Sequence, residues 1–143
     1  MTHEDQGHYA DKYKGVKIDP TISKKIKALA QNNTITCSSA HRAAKDLGVS
    51  PAQIGVQADL LELRISQCQM GLFGYGKGIK KIDPSIHLGD DLWASLEKAG
   101  KDKRISCALC WEMAARFKMK KLDMGSACEK LDLKIKPCQL GAF

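Results

Sequence analysis

Cys37, Cys68, Cys107 and Cys138 form two pairs, each with thirty residues between its members. Four thiolates make up the ligand set of structural zinc and of most iron–sulfur clusters. These four are therefore the candidate metal ligands, with zinc or an iron–sulfur cluster as the candidate cofactor. The spacing matches neither a zinc ribbon nor a ferredoxin run, and the competing role is that of small core or turn residues. Two more thiols, Cys110 and Cys128, stand where the matching stretch of sequence has Ala40 and Ala58, which predicts burial. A thiol–disulfide switch is a third role for such residues. His3, His8, His41 and His87 fall at positions that do not recur, and no catalytic role is assigned to them. With no Gly-rich phosphate loop, nucleophile elbow, carboxylate pair or His-x-x-x-His helix, enzymatic activity is not expected. The glycine-rich stretch 71–78 lacks a Gly-Lys-Ser/Thr ending and reads as a link.

The paired cysteines belong to a duplication. Residues 35–73 lie over 105–143 at a constant offset of seventy, without a gap, and eleven positions are identical. Four of them form a Cys-Gln-x-Gly-x-Phe tail, at 68–73 and again at 138–143. Ile18-Asp19-Pro20 recurs as Ile82-Asp83-Pro84, with six additional residues before the second Ile-Ser-Cys, an insertion placed at 87–103. Each copy is near the size at which a lone unit barely buries enough surface to fold, so the two are expected to pack as one globular, covalently linked pseudo-dimer.

Three helices are predicted in the first copy. Asp19 caps a helix with Pro20 at its first position and Ile22, Ile26 and Leu29 on one face, running to about Ala30. Thr36 caps a second helix over 37–47, stopped by Gly48. Ser50-Pro51-Ala52-Gln53 carries a cap, a first-position proline and a capping-box Gln, and opens a third helix with Ile54, Ala58 and Leu61 inward. Alternation at Leu63 and Ile65 predicts a short strand. The second copy repeats the plan with a helix over 107–117 and a turn, 118–121, that has lost the glycine and the Ser-Pro start. The fold expected is mainly α, a tandem pseudo-twofold repeat of a helix plus a helix-turn-helix, with a short strand or wing in each copy.

The run 43–54, with small residues, a Leu-Gly-Val-Ser turn and Ile54 as anchor, resembles the helix-turn-helix of bacterial and archaeal transcription regulators. The strand after it resembles the start of a wing. The resemblance covers about twenty residues of each copy, and it implies a second helix that enters the major groove of double-stranded DNA. On that helix Gln53 and Gln57 are the candidate base contacts, with Asp59 on the same exposed side. In the second copy Lys118, Lys120 and Lys121 are candidate phosphate contacts and Ser126 a candidate base contact. Gly55 and Gly125 point the other way, since an interior helical glycine marks close approach of another backbone. If that backbone is the other copy, the helices face inward.

Charge favours a polyanion as partner. The chain carries a formal +7, with nine Lys/Arg against seven Asp/Glu up to residue 76 and fourteen against nine thereafter. The organisation expected is a polar N-terminal tail at 1–16, a first repeat at 17–76 and a second at 77–143. No stretch is apolar enough for a membrane span or a secretory signal, so a cytoplasmic protein is expected. The function expected is DNA binding as a transcriptional regulator, redox- or metal-responsive through the cysteines. The alternative is a metal-binding or protein-interaction module on the same scaffold.

Overall fold

Side-chain caps set four of the six helix starts among the described residues. The computed structural model describes residues 15–143; the N-terminal tail up to residue 14, with His3 and His8, lies outside them. The chain is mainly α-helical and divides into two compact units, Met1–Cys68 with Gln139–Phe143, and Gln69–Cys138. No helix among the described residues is long and apolar enough to cross a membrane.

In unit 1, α1 (Pro20–Leu29) starts at Asp19, whose carboxylate accepts from the amides of Thr21 and Ile22. It buries Ile22 and Ile26. Asn32 and Asn33 take positive φ (51° and 61°) in a tight turn in which Gln31 and Thr34 exchange both backbone hydrogen bonds. The turn delivers β1 (Thr34–Thr36), and Thr36 then caps α2 (Cys37–Leu47). Gly48 ends α2 in the left-handed region at φ 67°, its amide on Lys45 and that of Val49 on Ala44, which satisfies two of the last-turn carbonyls. Ser50 and Gln53 form the predicted capping box at the start of α3 (Pro51–Leu60).

After α3 comes β2 (Arg64–Ser66), which is not a wing. It pairs in parallel with β1, Thr34 opposite Arg64 and Ile35 opposite Ile65. Burial of both isoleucines on one side fixes this register, and the α2–α3 pair is the crossover that parallel pairing requires. The tail Gln139–Phe143 completes the unit. A Cβ on Gly55 would fall inside the radius of the Leu140 carbonyl oxygen, so the close backbone partner of α3 is this tail.

Unit 2 has the same element order: α4 (Asp90–Ala99), β3 (Arg104–Ile105), α5 (Cys107–Arg116), α6 (Lys121–Lys130) and β4 (Lys134–Ile135), with β3 and β4 parallel. α4 begins seventy residues after α1. The six additional residues therefore lie at 84–89, wholly ahead of the helix, and not across 87–103. Asp83 consequently caps no helix; its carboxylate takes the Ser85 amide and hydroxyl instead, at 2.9 and 2.6 Å. Those two hydrogen bonds hold its pKa below the ordinary value. Lys118 occupies the position of Gly48 and adopts the same left-handed conformation, φ 53°. The tail of the first copy, from Gln69 onward, belongs to this unit, where Gly125 lies against the Met70 carbonyl as Gly55 does against Leu140.

Candidate nucleic-acid interface

The third helix of each copy is the place to look for base contacts, and its side chains are largely spent on the fold. In α3 the residues Ile54, Gly55, Gln57, Ala58 and Asp59 are buried, about 200° of the helix circumference at 100° per residue. Gln57, expected at a base edge, is 6 % exposed. Its Oε1 accepts from the Asp19 amide at 2.8 Å and its Nε2 donates to the Lys17 carbonyl at 3.2 Å. Ser126 is 2 % exposed, accepts from the Asp83 amide at 2.8 Å and donates to the Leu122 carbonyl at 3.2 Å. Both residues thus tie an Ile-Asp-Pro segment to the third helix of their own unit, and neither presents a group to a groove. Asp59, expected on the exposed side, is fully buried. Gln53 is exposed, but its Oε1 accepts from the Ser50 amide at 2.9 Å. The face of α3 left to solvent, Ala52, Gln53, Val56 and Leu60, carries no cation.

The lysines are placed differently. Lys118 and Lys120 are exposed and Lys121 half-buried, at the turn and start of α6. Lys120 and Lys121 line a cleft of about 320 Å³ with Gln69, Tyr75 and Leu122. The Lys121 ammonium sits 4.5 Å from the centre of the Trp111 ring. A second cation, Lys81, lies 5.7 Å from the centre of the Tyr75 ring. Cation–π contacts of this kind restrict a lysine without neutralising it, so the charge remains available to an anion at lower ordering cost. Tyr75 and Trp111 did not figure in the sequence expectation: Tyr75 lines the cleft beside Gln69 of the repeated tail, and Trp111 reaches Lys121 from α5.

The cysteines are not gathered. Cys37 and Cys68 belong to unit 1, Cys107 and Cys138 to unit 2; the first three are buried and Cys138 half-buried. Among the described residues no three or more His, Cys, Asp or Glu side chains are grouped so as to hold a metal ion. Unit 2 contains Cys107, Cys110, Cys128 and Cys138, but no ligand set of the size that a structural zinc or a cluster takes is assembled among the described residues. Cys110 and Cys128 touch instead, Sγ to Sγ at 3.8 Å, both buried as their alanine counterparts predict. That contact, and then burial, pushes the Cys110 thiol far above its ordinary pKa, so it is protonated at neutral pH.

No protein-family model, curated protein or solved structure matches this chain.

Proposed function

We propose that this chain is a DNA-binding protein that grips the phosphate backbone through lysines of its second copy, with the duplicated helix-turn-helix serving as scaffold. The observation that carries this is the cleft of Lys120, Lys121, Tyr75 and Gln69, with Lys121 over Trp111. Cations set among aromatic rings and an amide suit a phosphate with its sugar, and they read no base sequence. The tandem repeat gives the division of labour. The first copy keeps the better turn and the capped helix, while unit 2 holds all of the later charge excess.

Gln57 and Ser126 are left no part in base readout, since both are engaged inside their units. A DNA-binding regulator of this kind gains affinity from counterion release and would take its specificity from elsewhere. The test is titration of a labelled duplex at low salt, where Lys120→Gln with Lys121→Gln weakens binding. A parent protein that binds no duplex even at low salt would sink the proposal.

A further inference from the structure

We infer that the outward face of the β3–β4 pair in unit 2 is a second contact surface for the phosphate backbone of duplex DNA. The inference rests on the function proposed above, but on different residues. Arg104 and Lys134 are register partners across the parallel pair, and both are exposed while Ile105 and Ile135 turn inward. Lys136, one residue past the end of β4, is also exposed, and its amide continues the ladder by donating to the Ile105 carbonyl at 2.8 Å, which keeps the alternation that sets it on the side of Lys134. Neighbouring strands lie about 4.8 Å apart and alternate residues about 6.6 Å, so three cations share one small face.

Like charges directly opposite each other destabilise a strand pair. None of the three takes part in an ion pair among the described residues; the carboxylates nearest in sequence, Asp102 and Asp132, lie in the left-handed turns that precede β3 and β4. In unit 1 the corresponding partners are Thr34 and Arg64, and Thr36 and Ser66 follow, so the same backbone is built there with one cation. The fold therefore does not require the repulsion. A polyanion relieves it, and a row of phosphates does so at several points along the face. Lys101 and Lys103, exposed in the turn before Arg104, extend the positive surface, while Asp102 sits between them.

The test compares salt dependences of binding to a labelled duplex for four proteins: the parent, R104Q/K134Q/K136Q, K120Q/K121Q, and K24Q/K27Q/K45Q. The last removes the same charge from exposed positions of unit 1. The strand-face variant should lower the slope of log affinity against log salt by about 2 to 3, and weaken binding at least tenfold more than the unit 1 control. Equal losses in those two variants would overturn the inference, because net charge alone would then account for the effect. If K120Q/K121Q leaves binding untouched while the strand-face variant loses it, the inference stands and the cleft proposed above falls. The reverse result overturns the inference and keeps the cleft. Absence of duplex binding by the parent overturns both. Loss of capture on phosphatidylserine vesicles with DNA affinity unchanged would assign the face to a lipid surface and overturn it as well. Arg104→Thr, which leaves one cation in the pair as in unit 1, should melt at or above the parent temperature; a lower melting temperature would show that Arg104 is held for the fold.

Discussion

Gly55 lies against the backbone of Leu140 so closely that a Cβ on it would stand 2.7 Å from the Leu140 carbonyl carbon. Gly125 has the same relationship to Met70, at 2.9 Å. Each interior glycine thus receives the Cys-Gln-x-Gly-x-Phe tail that the other sequence copy carries. Because the obstructing atoms are backbone, Gly55→Ala and Gly125→Ala must displace the tail, at about 2 to 4 kcal/mol each. Gly89→Ala, which meets nothing within 4 Å but stands at the N-cap of α4, serves as the control and should cost about 1 kcal/mol or less. Urea denaturation of the three variants checks this, and a Gly55→Ala protein as stable as the parent would contradict the seating of the tail.

Gln57 should behave as a structural residue. Gln57→Leu strands the Asp19 amide and the Lys17 carbonyl, and should cost about 1 to 3 kcal/mol. The variant that remains folded should bind duplex DNA as the parent does. A stability left intact with DNA affinity lost would return Gln57 to the interface.

Lys118 pays for a left-handed backbone that Gly48 adopts freely in the other unit. Lys118→Gly is expected to stabilise the protein by about 0.5 to 1 kcal/mol, read from thermal or urea unfolding. A loss of stability would mean that the lysine side chain contributes more than its conformation costs.

The Cys110 thiol has a pKa raised by its contact with Cys128 and by burial. Stability linked to a raised acid is complete below the unfolded-state value, near 8.5, and declines as pH rises past it, because only the unfolded chain then releases the proton. Above that pH the parent should lose up to about 1.4 kcal/mol per pH unit from this group. Cys110→Ala, which restores the residue found at Ala40, should flatten the decline measured between neutral pH and pH about 10. Parallel pH profiles for the two proteins would exclude the linkage.

The helix starts in unit 1 and that of α5 were legible because caps are local: Asp19, Thr36, Ser50 and Ser106 each sit within three residues of the amide they satisfy. The parallel strands were not foreseen as pairs, since β3 and β4 are two residues each and their pairing joins segments thirty residues apart. Asp83-Pro84 repeats the letters of Asp19-Pro20 without the helix, because six residues intervene before α4. Gln57 and Ser126 were read as outward from helical periodicity alone. Periodicity cannot register that a distant tail covers Gly55 and Gly125, or that the Asp19 and Asp83 amides need acceptors. The lysines of the turn were legible as charges, but Tyr75, Gln69 and Trp111 join them only through the fold.

The most direct measurement is the affinity for two duplexes of unrelated sequence as a function of salt, for the parent and for K120Q/K121Q. Backbone binding through the cleft predicts affinities within a few-fold on the two duplexes, and a slope lowered by about 2 in the variant. Discrimination between the duplexes by more than about a hundredfold, or a slope that the two substitutions leave unchanged, would contradict it.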